Sequence, residues 1–180
     1  MRGSTYEAWP LFANAIQIGA ILPGTVPPGD GALTVTYRGL ASESVPIRVR
    51  SGAPGLFTLN QRGTGPAVVQ NIDAATGAAT LNTPAQPLRP GQLATLWGTG
   101  LGAVPGAEAA GPLPGDQPNL DVRLWIGDRL TPLIYRGRSG CCAGIDQIVF
   151  ATPAGIEGCQ VPVNIEVSGV TSNFGSVATG

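Results

Sequence analysis

Near the C-terminus, Val161-Pro162-Val163-Asn164-Ile165-Glu166-Val167 puts an apolar side chain at every second position and a proline or polar residue between them. A period of two is the signature of a strand with one face in a core and the other toward water. The same alternation recurs outward from this stretch. It is seen in Val122-Arg123-Leu124-Trp125-Ile126, in Leu33, Val35 and Tyr37 around Thr34 and Thr36, and in Val45-Pro46-Ile47-Arg48-Val49. Further strands are expected over 16–22, 67–71, 93–97, 130–135 and 147–151. Turn clusters separate them: Pro23-Gly24, Pro27-Pro28-Gly29-Asp30-Gly31, Gly63-Thr64-Gly65-Pro66 and Gly127-Asp128. The 27 glycines and 17 prolines break up every stretch long enough for a capped helix. Short alternating strands punctuated in this way predict an all-β chain folded as an antiparallel sandwich.

A faint internal repeat predicts how the sandwich is divided. Gln17-Ile18, Pro23, the 33–37 alternation, Gly39 and Ser42 reappear 130 positions later as Gln147-Ile148, Pro153, the 163–167 alternation, Gly169 and Ser172. Identities are few, but the apolar alternation stays in phase. The second copy has a long run of strands ahead of Gln147, whereas only sixteen residues precede Gln17. The expectation is therefore a partial module over 1–51, holding C-terminal strands only, followed by a complete module over 52–180. Half a sandwich leaves an open edge and an uncovered apolar face. The first half is expected to pack onto the second, with some self-association. Alternatively, the missing strands lie upstream in a longer parent.

Composition excludes several function classes. The chain has 180 residues, 43% of them hydrophobic and 12% charged, which is too apolar for a disordered segment and enough for a real core. All ten basic residues are arginine, and against eleven acids the net charge is −1, so no electrostatic nucleic-acid partner is expected. There is no histidine, which removes Ser-His-Asp and Cys-His catalysis and histidine metal sites. No apolar run reaches the roughly 18 residues of a membrane span, so no membrane insertion is expected. Gly98-Thr99-Gly100-Leu101-Gly102 lacks both the G-x-G-x-x-G spacing and the lysine of phosphate loops, and reads as a strand-end turn.

Three cysteines leave two readings open. They are three buried thiols, or Cys142 (with Cys141 as the alternative) is bridged to Cys159, closing a loop of about 17 residues worth roughly 3 kcal/mol. The bridge would imply an extracytoplasmic home. The first residues lack the long apolar region of a signal peptide, so a secreted origin would make the chain a piece of something longer.

Four segments carry a resemblance. They are Ser51-Gly52-Ala53-Pro54-Gly55-Leu56-Phe57-Thr58, Leu96-Trp97-Gly98-Thr99-Gly100-Leu101-Gly102, Cys141-Cys142-Ala143-Gly144-Ile145-Asp146-Gln147-Ile148 running on to Pro153-Ala154-Gly155, and Gly169-Val170-Thr171-Ser172-Asn173. Over about residues 15–180 the ordered set resembles a family of C-terminal Ig-like repeat domains of large secreted soil-bacterial proteins. It is also similar to the wider IPT/TIG group of Ig-like domains. The resemblance implies an Ig-like sandwich and an exported parent, and it carries no catalytic residues.

The carboxylates are the only general acid/base candidates. Asp116, Asp121, Asp128 and Asp146 are the candidate metal set, and Ca²⁺ is the hard cation that such oxygen ligands would take; otherwise no cofactor is expected. Each of them also reads as an ordinary turn residue. Trp125 beside Arg123, opposite the Val122/Leu124/Ile126 face, is the candidate ligand-binding pair, for a sugar ring or a cell-surface protein. The competing reading has Trp125 covered by the first half of the chain. Together these point to a non-catalytic extracellular spacer, adhesion or binding module. A metal-assisted hydrolase of small esters or lactones and a carbohydrate-binding module are the alternatives.

Overall fold

The computed structural model describes residues 3–180. The described residues are all-β apart from one 3₁₀ turn at Glu108–Ala110. Among the described residues, no helix is long and apolar enough to cross a membrane.

Six strands occupy the N-terminal part: β1 (Trp9–Ala13), β2 (Ile18–Ile21), β3 (Gly29–Leu33), β4 (Thr36–Tyr37), β5 (Leu40–Ala41) and β6 (Val45–Val49). They form three separate antiparallel pairs: β1 with β2, β3 with β6, and β4 with β5. The rest is a two-sheet antiparallel sandwich. Its strands are β7 (Gly55–Leu56), β8 (Val69–Ile72), β9 (Ala79–Leu81), β10 (Leu93–Thr99), β11 (Gly115–Asp116), β12 (Val122–Ile126), β13 (Arg129–Thr131), β14 (Leu133–Arg138), β15 (Asp146–Ala151), β16 (Gly158–Val167), β17 (Val170–Thr171) and β18 (Gly175–Thr179). One sheet runs β11-β14-β15-β10-β8-β9, with β7 also on β10. The other runs β13-β12-β16-β17, with β18 on the free part of β16. Two isolated parallel bridges, Pro66 to Ser176 and Leu88 to Thr179, tie β18 to the segments ahead of β8 and β10.

In the C-terminal sandwich the core is what the alternation predicts, whereas the alternating residues Leu33, Val35, Tyr37 and Val45 stay exposed. Val122, Leu124 and Ile126 from β12 and Val161, Val163, Ile165 and Val167 from β16 face Val69, Leu96, Ile148 and Phe150 from the other sheet. Pro132 splits the strand expected over 130–135 into β13 and β14, because proline cannot donate to the ladder. Trp97 lies on the outer face of β10, half-buried, with its indole N–H donating to Gln70 Oε1 at 2.9 Å.

The repeat read from the sequence is present as hydrogen-bond register. The pairs Gly31–Ile47 and Leu33–Val45 in β3–β6 match Val161–Val177 and Val163–Gly175 in β16–β18. Thr36–Ala41 and Tyr37–Leu40 match Glu166–Thr171 and Val167–Val170. Both tight turns hold two positive-φ residues, Arg38-Gly39 at 51° and 79° and Ser168-Gly169 at 48° and 81°, the geometry of a type I′ hairpin. Ser42 Oγ accepts from Val35 N–H and donates to the Glu43 carbonyl. Ser172 Oγ does the same with Ile165 N–H and the Asn173 carbonyl. Even the bulge between Pro10 and Phe12 in β1–β2 has its counterpart between Leu133 and Tyr135 in β14–β15.

Packing differs sharply between the copies. Among the described residues of the N-terminal part only Ile21 and Pro23 are buried; Ile21 lies against Gly144, and the neighbouring Gly24 lies against the Val104 carbonyl and Ala103. Tyr6, Leu11, Ile16, Tyr37, Leu40 and Val45 are all exposed. The expected packing of the first half onto the second is thus confined to one seam.

Candidate functional site

The motif segments converge on one end of the sandwich. Ala53 N–H donates to the Gly100 carbonyl, Thr99 Oγ1 donates to the Gly144 carbonyl, and Leu101 N–H donates to Asp146 Oδ2 at 2.8 Å. Gly100, at φ 87°, is required there, since a Cβ would run into the Ala53 carbonyl. Asn173 closes the other side. Its Oδ1 accepts from Leu56 N–H at 2.7 Å, and its Nδ2 donates to the carbonyls of Leu56 and Gly63.

At the centre of this end lies a buried ionic cluster that sequence reasoning did not single out, apart from Asp146. Arg138 is carried inward by β14 and donates through Nε to Glu108 Oε1 at 2.8 Å, through Nη1 to Asp146 Oδ1, and through Nη2 to the Gly102 carbonyl at 2.8 Å. Glu108 Oε1 also accepts from Gly144 N–H. Burial pushes the Asp146 carboxyl above the ordinary aspartate range, against the Leu101 N–H and Arg138, which favour its charged form. Arg138 is held charged by its two carboxylates, Glu108 first, although burial opposes this. Every group in the cluster is engaged, so its chemistry is cross-linking: it ties the 3₁₀ turn, the Gly98–Gly102 turn, β14 and β15 into one unit.

A cleft of about 650 Å³ opens beside the cluster, between the N-terminal part and the sandwich. Leu11, Phe12, Ile21, Pro23, Arg48 and Arg50 line it from the N-terminal part, and Ala103, Glu108, Arg138 and Gly144 line it from the sandwich.

The remaining carboxylates are dispersed. Asp116 accepts from Arg136 N–H, Asp121 and Glu166 flank Arg123 at 3.4 and 3.7 Å, and Asp128 lies 3.6 Å from Arg129 in the β12–β13 turn. Among the described residues, no group of three or more histidine, cysteine, aspartate or glutamate side chains converges as a metal cage. Asp146 serves the arginine cluster, not a set with Asp116, Asp121 and Asp128.

Trp125 and Arg123 share the outer face of β12, opposite the core, as the alternation predicts. Trp125 is half-buried between Asn164 of β16 and Leu130 of β13, and Arg123 is exposed beside Glu166.

The cysteines need a correction. All three are exposed free thiols, neither buried nor bridged. Cys141 and Cys142 sit in the turn before β15, and Cys159 follows the loop after β15. Six residues of strand at about 3.3 Å each separate the two ends of the sandwich, whereas a disulfide needs Cα atoms within about 7 Å. The Cys142–Cys159 bridge, and its Cys141 alternative, are therefore not formed. The Cys141 thiol is shifted down by hydrogen bonds from Cys142 and Ser139, and that of Cys142 is shifted up by its neighbour.

No family model, curated protein or solved structure matches this chain.

Proposed function

We propose that the chain is a non-catalytic Ig-like binding or spacer module, part of a larger secreted protein. One observation carries this reading: of the charged side chains buried in the sandwich, Arg138 donates to both Glu108 and Asp146, and all three also bond backbone groups at one end. A hydrolase needs a nucleophile or an activated water beside an unengaged acid or base, and the chain offers neither histidine nor lysine for it. What remains free is surface, chiefly the apolar side chains of the first 45 residues. The resemblance of the four motif segments supports the extracellular, Ig-like part of the reading.

The test is a panel of p-nitrophenyl esters and small lactones, assayed with added Ca²⁺ and again with EDTA. No turnover above buffer is expected under either condition. Turnover that EDTA abolishes would replace this reading with the metal-assisted hydrolase.

Carbohydrate binding is a second reading, favoured by Trp125 standing half-exposed beside Arg123, Asn164 and Glu166 on the outer sheet face. Tryptophan offers a flat apolar ring against which a sugar can stack. On a glycan array, wild-type signal lost in Trp125→Ala would support it, and an identical profile for the two proteins would remove it.

A further inference from the structure

We propose that residues 9–49 form the C-terminal half of a second sandwich, and that their open face binds an N-terminal half of the kind this chain forms over residues 55–131, joined ahead of β1 as β13 is joined to β14. The proposal rests on the binding-module reading and names the partner.

The molecule carries its own comparison. In the C-terminal sandwich, β14 to β18 supply one half of the core and β7 to β13 supply the other. β10 pairs along β15, and β12 pairs along β16 from Val122–Val167 to Ile126–Val163. In the N-terminal part, β1 to β6 reproduce the register, the bulge, the serine bonds and the type I′ turn of β14 to β18. Among the described residues ahead of β6, no strands reproduce β7 to β13. The positions that face that missing half are apolar in both copies but differ in burial. Ile148 is 2% exposed and Ile18 49%; Val163 is 0% and Leu33 45%; Ile165 is 1% and Val35 40%; Val167 is 1% and Tyr37 67%. Two strand edges are open as well. β2 pairs only with β1, leaving free the edge that β15 gives to β10, and the 33–37 stretch lacks the partner that β12 is to β16. Exposed apolar side chains beside unpaired strand edges are what a strand-adding partner takes up.

The order of the halves follows from the connection. In the sandwich a single residue, Pro132, links the covering half to β14, and the register places Trp9 of β1 at that same point. The end lock is not repeated. Asp146 and Asn173 have Ile16 and Glu43 as their counterparts, so the partner is held by the sheet face and edges rather than by an ionic cluster.

The test fuses a second copy of residues 52–131, carrying Glu108→Ala because the arginine partner has no counterpart, directly ahead of Trp9, so that Trp9 stands where Pro132 does. Amide exchange is then read over residues 33–37. Slowing by at least about 100-fold relative to the unfused chain is expected. Val35→Asp in the fused protein should restore fast exchange without moving the melting of the C-terminal sandwich, to which Val35 contributes nothing. Unchanged exchange over 33–37 in the fusion would overturn the proposal. So would a dimer of the unfused chain, seen by sedimentation, that protects the same amides, since a second copy would then be the occupant. Either outcome leaves the ester and lactone assay untouched, so the binding-module reading stands or falls separately.

Discussion

At the scale of single residues, Arg138 decides how the cleft end of the sandwich holds together. Its guanidinium joins two buried carboxylates and a carbonyl, and removing it strands negative charge in the interior. Breaking a buried pair from one side costs about 3–5 kcal/mol, more than the pair contributes over an apolar replacement. Arg138→Met should therefore destabilise the chain by about that amount near neutral pH in urea denaturation. The pH dependence has a definite sign. The folded Asp146 carboxyl already titrates above its ordinary value because burial outweighs the groups that favour its charge. A proton on it favours the folded state, and that contribution is present in acid and lost as pH rises through the folded value. Without Arg138, one of the influences opposing the upward shift is gone, and the shift grows. The deficit of the variant should be smaller at about pH 5 than at about pH 7, because protonation relieves the stranded charge. An equal deficit at both would mean that Asp146 finds another partner or water.

At the scale of elements, Asn173 shows how a short strand is held without a long ladder. β7 is two residues long and pairs with β10 only through Leu56–Gly98 and Gly55–Thr99. Asn173 fixes it from the side with one accepted and two donated hydrogen bonds. Asn173→Ala should cost about 2 kcal/mol and raise the exchange rate of the Leu56 amide, because a half-buried N–H and two carbonyls lose their partner. A loss under about 0.5 kcal/mol would show that β7 is secured by its core residue Leu56 alone.

This element also marks the limit of what the sequence discloses. The long alternating strands β10, β12, β15 and β16 are legible because burial of one sheet face imposes a period of two over five or more residues. β7 and β11 are too short to show a period, and β1, with Pro10 inside it and most of its side chains exposed, shows none. The repeat was visible as phase. Its physical content, a shared register with a shared serine bond and a shared type I′ turn, lies in backbone pairings that side-chain identity barely records. The ionic cluster was hidden for a different reason. Glu108 and Arg138 are thirty positions apart, in a glycine-rich loop and a strand, and only the fold brings them together. The cysteine spacing fitted a disulfide loop, but spacing carries no information on which end of a strand each thiol occupies.

At the scale of the whole molecule, the two parts differ in what holds them. The C-terminal sandwich buries a continuous aliphatic core from both sheets. The N-terminal part buries Ile21 and Pro23 and otherwise rests on three strand pairs and the exposed Arg48–Asp30 ion pair. Isolated two-stranded pairs are marginal in water, and local opening free energies follow buried contacts. In native-state exchange, amides of β3 to β6 should open at about 1–2 kcal/mol, while those of β10, β12, β15 and β16 follow the global unfolding free energy, on the order of 5–15 kcal/mol for a domain. Leu40→Asp should then leave the unfolding free energy of the sandwich within about 0.5 kcal/mol of wild type, since Leu40 is 78% exposed. The contrary result is equally specific. If both parts exchange with one free energy in the unfused monomer, the face carrying Leu33, Val35 and Tyr37 is already covered within the chain. The first fifty residues would then be a finished part of the sandwich rather than an open half awaiting its complement.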